Sequence, residues 1–239
     1  MKVNIIKTST VSSKMDEFVI ENEVLYECNL TGTVVVPENV TKIKATAFSN
    51  KTNIIKVVLP EGLKTIGTNT FIGCTSLEEV IIPESVEAIE DQAFFGCKKL
   101  KKVHLPKNLK RLCIKAFTDS GLESVDLPEH PDYVGSYVFA NSQLHQVTIP
   151  ANFPLTVAMF DECKHLETIT FEGTDIKVPG ICFKLCENLK NIDLRNIKTI
   201  GKGGFSGCKS LDFDVLPKDI RVNDSAFSGC GIKHITVEN

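Results

Sequence analysis

The chain has 239 residues, of which 42% are hydrophobic, enough apolar side chain for a packed core in one large domain or two small ones. Its net charge of −3 provides no overall attraction for phosphate backbones, so the composition argues against general nucleic-acid binding. No stretch is apolar and long enough for a membrane span or a signal peptide, an expectation compatible with the cytosol.

Residues 1–36 are predicted to form an N-terminal cap and a first strand. Apolar residues flank a turn at Glu21-Asn22-Glu23, and a second turn follows at Thr31-Gly32. This pattern predicts a β-hairpin that leads into a strand from Val34 to Val36. Because a repeat array needs a cover over its terminal apolar surface, we expect the hairpin to close this end of the array.

Residues 37–239 contain a repeated unit of 21–23 residues in about nine copies. One phenylalanine marks each copy: Phe48, Phe71, Phe94, Phe117, Phe139, Phe160, Phe183, Phe205 and Phe227. Three residues after six of them stands a cysteine (Cys74, Cys97, Cys163, Cys186, Cys208 and Cys230), whereas Ser120 and Ser142 stand there in two other copies. A strand pattern follows, as in Leu77-x-x-Val80-x-Ile82, and in most copies a proline ends it.

A period of 20–29 residues with the pattern L-x-x-L-x-L is the signature of leucine-rich repeats. One unit cannot bury its own apolar face, so the strands of successive units are expected to pair in parallel. The predicted fold is an α/β-type but mostly β solenoid. It is a right-handed leucine-rich-repeat superhelix with a continuous parallel sheet and an N-terminal β cap, in one structural domain.

The unit I-P-x-x-V-x-x-I-x-x-x-A-F-x-G-C-x-x-L, found from Ile82 to Leu100, resembles the BspA-like leucine-rich repeats of bacterial and protist surface-type proteins. The segment from Phe18 to Leu25 also resembles the cap common before such arrays, with Glu23 where a glycine is usual. The resemblance covers nearly the whole chain. It implies a binding solenoid at the cell surface or outside the cell, often adhesive, and it implies no catalytic residues. The unpaired repeat cysteines would also suit the cytoplasm.

The cysteines and histidines do not form a recognisable catalytic or metal-binding pattern. Seven of the nine cysteines lie near equivalent positions of the repeat, which is typical of core packing and not of disulfide pairing. Cys182 and Cys186 lie near Cys163 and His165 in the sequence, but no second pair completes a tetrahedral metal site. The five histidines are scattered over the repeats. The sequence therefore predicts no enzymatic activity, no cofactor and no metal.

The x positions of the strand pattern point away from the core and form the candidate surface for a partner. Charges of alternating sign fill the first outward columns, which we interpret either as lateral ion pairs between strands or as a polar recognition strip. A third outward column is apolar at Val58 and Ile81 and polar in the middle. The candidate residues on these columns are Glu79, Ile81, Lys101, Lys102, His104, Asp126, His145, Thr148 and Thr170.

A cluster of eight basic residues between Lys98 and Lys115 contains no acid. Two interpretations stay open: acids of the preceding unit neutralise it, or it docks a polyanion. The repeats after Pro128 and Pro150 depart from the pattern, either by drift or because they contact a partner. Two of the three tyrosines, Tyr133 and Tyr137, lie there and are added as candidates.

One strand breaks the pattern near the end of the array. Asp214 occupies the position at which Val80 stands in the third copy. Either Phe213 takes the interior place through a bulge, or the strand is frayed.

These observations favour a non-enzymatic module that recognises a protein or glycan through its sheet face, such as an extracellular-matrix or host protein, in adhesion. The alternative is a structural scaffold or oligomerisation module. Its basis is the strand-like segment from Lys233 to Asn239, whose edge could pair with another chain.

Overall fold

A computed structural model describes residues 17–190 and 192–238 of the chain. Residues 1–16 of the predicted cap lie outside the described residues. Within the described part, the single helical segment is a 3-10 turn at Ala45–Ala47, and all other regular structure is β. The prediction of a mostly β, parallel solenoid is confirmed.

The described residues form nineteen strands, each two to five residues long, because the chain turns a corner after each one. Their bounds are β1 Phe18–Glu21, β2 Val24–Cys28, β3 Gly32–Val35, β4 Lys42–Ile43, β5 Ile54–Val58, β6 Thr65–Ile66, β7 Glu79–Ile81, β8 Ala88–Ile89, β9 Lys102–Val103, β10 Arg111–Leu112, β11 Ser124–Val125, β12 Tyr133–Val134, β13 Gln146–Ile149, β14 Thr168–Phe171, β15 Ile176–Val178, β16 Ile197–Ile200, β17 Val215–Leu216, β18 Arg221–Val222 and β19 Thr236–Val237.

The first two strands form an antiparallel hairpin at one end of the solenoid. Its turn residues Asn22 and Glu23 have φ values of 49° and 63°, the pair of left-handed conformations that a tight hairpin turn requires. Strand β2 also pairs in parallel with β4, which attaches the hairpin to the first repeat. We propose that the cap ends at residue 36.

Parallel strands form two ladders along the solenoid. The first contains the strands of the L-x-x-L-x-L pattern, in the sheets β3-β5-β7, β9-β11, β13-β14 and β17-β19. The second contains β6-β8-β10-β12 and β15-β16-β18. The first ladder is therefore divided into segments and is not the continuous sheet expected from the repeat. Strands as short as β9 and β11 supply few ladder bonds. Between β11 and β13, for example, one backbone bond joins the preceding segments, from His145 N–H to Glu123 O at 3.2 Å.

The phenylalanine column forms the centre of the core. Each ring from Phe48 to Phe205 is fully buried, and Phe227 is partly buried. Consecutive rings stack with centroids between 4.9 Å and 5.7 Å apart. Full burial of one such side chain contributes roughly 2–3 kcal/mol, so the column is a main source of cohesion between repeats.

The cysteine position ties each repeat to the one before it. The Sγ atoms of six cysteines donate to the carbonyl of the phenylalanine in the preceding copy, at 2.9–3.2 Å. These residues are Cys74, Cys97, Cys163, Cys186, Cys208 and Cys230. Their role as packing residues follows directly from these contacts.

The structure decides between the two interpretations of the irregular strand near residue 214. Phe213 packs against the core, with its ring centroid 5.0 Å from that of Phe227 in an edge-to-face arrangement, while Asp214 is exposed. The aromatic side chain thus takes the interior place. Burying a carboxylate without a partner would cost far more than the local irregularity.

Candidate functional site

The outward side chains of the first ladder form a surface that we call the sheet face. At its N-terminal end, Val35, Val58 and Ile81 are direct neighbours on β3, β5 and β7. Val35 and Ile81 are 58% and 42% exposed, and nearby Ile55 is 47% exposed. Three adjacent strands thus present an apolar stripe to solvent, defined here as Val35, Val58 and Ile81.

Charged residues next to the apolar stripe are paired across the strands. Lys56 Nζ lies 2.8 Å from Glu79 Oε2, and Lys101 Nζ lies 2.9 Å from Glu123 Oε1. Such exposed pairs contribute only about 0.2–1 kcal/mol each. The candidates Glu79 and Lys101 therefore have a structural role as lateral partners, whereas Lys102 has no ion pair in the described part of the chain.

The middle of the sheet face is polar. Thr148 and Thr170 lie directly opposite each other on β13 and β14, and both are exposed. His145 precedes β13, and its backbone bonds to Glu123, just before β11, and to Glu167, just before β14. The pKa of Glu167 is lowered by its hydrogen bond with Lys190 and, to a smaller extent, by the nearby His145. A partner at this position would meet hydrogen-bonding groups and no apolar side chain.

A groove of about 1000 Å³ opens beside the sheet face, where the chain turns from the first ladder to the second. His104 and Asp126 line it from the sheet side, and Lys107, Lys110, Glu129, His130 and Asp132 line it from the turns. Pro131 occupies the buried position that Leu109 holds one repeat earlier. The replacement of leucine by a smaller, rigid side chain accompanies the open space.

Ion pairs and hydrogen bonds fix one wall of this groove. The Glu84 carboxylate accepts from the Lys107 amide at 3.1 Å and lies 3.0 Å from His104 Nε2. Both contacts lower the pKa of Glu84, and the hydrogen bond from the Lys107 amide has the larger effect. Lys110 Nζ lies 2.7 Å from Glu87 Oε2. The rim therefore presents fixed donors and acceptors of both charges.

The two candidate tyrosines lie away from the sheet face. Tyr133 is on β12 in the second ladder, with the Arg111 guanidinium 5.2 Å from its ring centroid. Tyr137 lies at the next corner, half-buried, with Lys115 Nζ 5.6 Å from its centroid. The structure does not bring these residues together with His104 and Thr148.

Most of the basic cluster is paired with acids of neighbouring repeats. Lys98 contacts Asp119, Lys99 lies 3.6 Å from Glu78, and Arg111 lies 3.7 Å from Glu90. This arrangement favours neutralisation by neighbouring repeats over a free polyanion site.

The thiols are occupied in packing. Burial raises the pKa of Cys74 and of Cys163 to about 11, so both are protonated at neutral pH. Among residues 17–190 and 192–238, no group of three or more His, Cys, Asp or Glu residues is placed to hold a metal ion. In the same residues, no helix is long and apolar enough to cross a membrane.

Several residues of this surface are not among the candidates predicted from the sequence. The repeat register aligns Val35 of the predicted first strand with Val58, so the sequence does contain a signal for this outward neighbour. The turn residues of the groove lie in two segments that the sequence did mark: Lys107 in the basic cluster, and Glu129, His130 and Asp132 in the irregular stretch after Pro128. The groove itself was not predictable, because it arises from the shape of adjacent turns and not from periodicity.

Comparison with known proteins gives a consistent family and fold. The BspA type leucine-rich repeat region matches residues 18–145 and 132–239, with six copies. A leucine-rich repeat protein from Bacteroides ovatus has 23% identity and a TM-score of 0.69, over 99% of this chain and 71% of that one. The T. pallidum leucine-rich repeat protein has 22% identity and a TM-score of 0.51, over 79% of this chain and 82% of that one.

A comparison with curated protein sequences finds no match. The two solved structures have 23% and 22% sequence identity with this chain, and at that level the similarity establishes a shared fold. The repeat match extends over nearly all of the described residues and agrees with the stacked phenylalanine and cysteine positions. The chain therefore belongs to the BspA-type leucine-rich repeat family.

Proposed function

We propose that this protein is a non-enzymatic recognition module that binds a protein or glycan through its sheet face and the adjoining groove, in cell adhesion. The observation that supports this most strongly is the apolar stripe. Contiguous exposed apolar side chains with a polar rim are typical of interaction sites. Solenoids also use their extended surfaces for binding, since each repeat adds side chains in the same register.

The proposed interface has two parts with different chemistry. The apolar stripe would supply the desolvated contact, because Val35 and Ile81 can be buried without leaving a charge unpaired. The polar middle, with Asp126, Thr148 and Thr170, would supply directional hydrogen bonds. This division favours a protein partner with its own apolar patch, or a glycan that uses mainly the polar middle and the groove.

A binding screen of the purified chain tests the proposal. The probes are a panel of extracellular-matrix proteins and a glycan array, each at two salt concentrations. For any probe that binds, Ile81→Glu is expected to weaken binding about tenfold or more if the stripe is desolvated. The matched control is Val157→Glu, since Val157 is 45% exposed but lies at a corner outside the sheet face.

The salt dependence separates this proposal from polyanion docking. Contact through the apolar stripe predicts a modest loss of affinity with added salt, because few free charges take part. A steep loss with salt, together with normal binding by Ile81→Glu, would contradict recognition through the stripe. Absence of binding to every probe would count against adhesion to matrix proteins and glycans.

A further inference from the structure

The first ladder lacks one rung of backbone hydrogen bonds over three consecutive repeats. In the second repeat, the amide of Leu59 donates to Ile81 O of the next repeat at 3.1 Å. Among residues 17–190 and 192–238, no hydrogen bond involves the equivalent amides of the third, fourth and fifth repeats, which belong to Ile82, Leu105 and Leu127. In the sixth repeat the ladder is whole again, because β13 and β14 pair over their full length.

The missing rung lies where the groove opens. If the register of the earlier repeats continued, Leu105 N–H would donate to Asp126 O, and Leu127 N–H would donate to Thr148 O. Leu105 is only 4% exposed. A buried amide without a partner is rare in folded proteins and indicates that water or a ligand completes its hydrogen bond.

A second hollow of about 290 Å³ adjoins the groove on the sheet face. Both spaces are lined by Asp126, Leu127 and Glu129, so they form one depression from the fourth to the sixth repeat, which we call the extended groove. The lining residues that are buried or half-buried are mostly apolar, such as Leu105 and Leu127. Its size lies in the range of ligand-binding clefts.

Exposed carboxylates without a cationic partner are concentrated along the extended groove. Asp126, Asp132 and Glu172 have no ion pair in the part of the chain that the structure describes, and all three are exposed. Glu129 contacts only the adjacent His130, at 3.9 Å. This lining differs from the neighbouring sheet face, where lysines pair with the glutamates.

Acids of the preceding repeat already engage most of the basic groups at the extended groove. Lys110 lies 2.7 Å from Glu87, and His104 lies 3.0 Å from Glu84. Within the described residues, Lys107 is the one lysine of the lining without an ion pair. The lining therefore has a surplus of negative charge, which favours a cationic ligand.

We propose that the extended groove binds a segment of a partner protein that carries lysine or arginine side chains. The backbone of such a segment offers N–H and C=O groups to the open rung. Its basic side chains lay their apolar stems over the leucines and reach the carboxylates with their charged ends.

The lining favours a peptide over a glycan. No phenylalanine, tyrosine or tryptophan of the described residues lines the extended groove, so a sugar ring has no aromatic side chain on which to stack. This inference rests on the proposed recognition function and specifies the chemistry of a partner at the groove.

Fluorescence anisotropy with a labelled peptide of alternating arginine and valine tests the proposal. The wild-type chain is expected to bind this peptide, less tightly as salt is added, and to bind the same peptide with citrulline in place of arginine about tenfold or more weakly. The double substitution Asp126→Asn with Glu129→Gln is expected to weaken binding of the arginine peptide about tenfold.

The matched control is the double substitution Glu38→Gln with Glu61→Gln. These exposed glutamates hold the turn position of Glu129 in the first and second repeats, so the control removes the same number of charges outside the extended groove. It is expected to retain the wild-type affinity. The apolar stripe is tested with other variants and probes, so failure of the stripe and failure of the groove are distinguishable.

An NMR titration of the ¹⁵N-labelled chain with the arginine peptide tests the open rung. The amide signals of Leu105 and Leu127 are expected to shift, whereas that of Leu59 stays in place because its hydrogen bond is already made. No binding of the arginine peptide, equal affinity for the citrulline peptide, or equal losses in the two double variants would overturn the proposal. Shifts of the Leu105 amide with maltohexaose and not with the peptide would overturn it in favour of a glycan.

Discussion

At the scale of single residues, the corner after each phenylalanine sets the strictest requirements. From Cys74 to Cys208 the cysteine position is buried, and the thiols there donate to the carbonyl of the preceding repeat. Ser142 has a different partner, the thiol of Cys163 in the following copy, since its Oγ lies 3.3 Å from that Sγ. The buried Oγ of Ser120 has no hydrogen-bond partner among the described residues. A buried hydroxyl without a partner costs about 1–3 kcal/mol.

Ser120→Cys is therefore expected to raise the free energy of unfolding by about 1 kcal/mol. The longer, less polar thiol is expected to donate to Phe94 O, as the other cysteines do to their preceding phenylalanines. Urea unfolding followed by circular dichroism measures the change. Ser142→Cys is the matched control, with a smaller gain, because its hydroxyl already has a partner. Equal effects of the two substitutions would contradict this account.

A second residue carries conformational strain in the cap. Glu23 has a φ of 63°, and its side chain makes only a 3.5 Å contact with Thr41. Left-handed backbone costs a non-glycine residue roughly 1 kcal/mol, so Glu23→Gly is expected to stabilise the protein by about that amount.

The control for this substitution is Glu21→Gly. Glu21 is also exposed but lies in β1, where the backbone is extended and glycine loses more entropy on folding. Thermal unfolding is expected to show a higher midpoint for Glu23→Gly and a lower one for Glu21→Gly. A lower midpoint for both would show that the turn is not strained.

At the scale of elements, the phenylalanine column predicts how stability is distributed along the array. Phe94 is fully buried between Phe71 and Phe117, at 5.0 Å and 4.9 Å. Phe94→Ala is expected to lower the free energy of unfolding by about 3–5 kcal/mol. Phe227, partly buried at the tail, is expected to cost less than half as much.

Urea unfolding of both alanine variants measures this difference. A solenoid with nearest-neighbour contacts has a strong central repeat and a weaker terminal one. Similar destabilisation at Phe94 and Phe227 would contradict the idea that stacking neighbours on both sides stabilise each ring.

The elements also show what the sequence could and could not predict. The columns at Phe94 and Cys97 were predictable, because a fixed period repeats the same buried chemistry in every copy. The second ladder was not. Strands such as Ala88–Ile89 and Arg111–Leu112 have two residues, too few for an alternating pattern, and backbone bonds such as that from Lys110 N to Glu87 O maintain their register. The groove beside His104 and Asp126 was not predictable either. It depends on the smaller side chain of Pro131 at one buried position, and not on a residue that recurs in every repeat.

At the scale of the whole molecule, burial separates one thiol from the others. Eight cysteines are buried and Cys230 is partly exposed. Burial raises the pKa of Cys113 to about 12, and a contact with Cys208 lowers the pKa of Cys230. Only the thiolate reacts, so Cys230 is expected to be the single fast-reacting thiol of the folded chain at pH 8.

Labelling with a thiol-specific chromogenic reagent measures this difference. One equivalent is expected to react rapidly in the native protein, and all nine cysteines after denaturation. Cys230→Ser is expected to remove the fast phase. Rapid reaction of several thiols in the native state would mean that the cysteine column is not packed as described.

The whole array also determines where a partner can bind. Lateral ion pairs occupy many charges of the outer surface, including Lys56 with Glu79 and Lys190 with Glu167. The stripe of Val35, Val58 and Ile81 remains as unpaired apolar area at one end of the sheet face. Recognition is expected to concentrate there and at the adjoining groove.

The most direct test of this central claim is the ratio of two affinities, those of Ile81→Glu and Val157→Glu for one bound probe. Both are measured side by side by biolayer interferometry. We expect Ile81→Glu to bind about tenfold or more weakly than wild type, while Val157→Glu retains the wild-type affinity. Equal affinity of the two variants would contradict recognition through the sheet face.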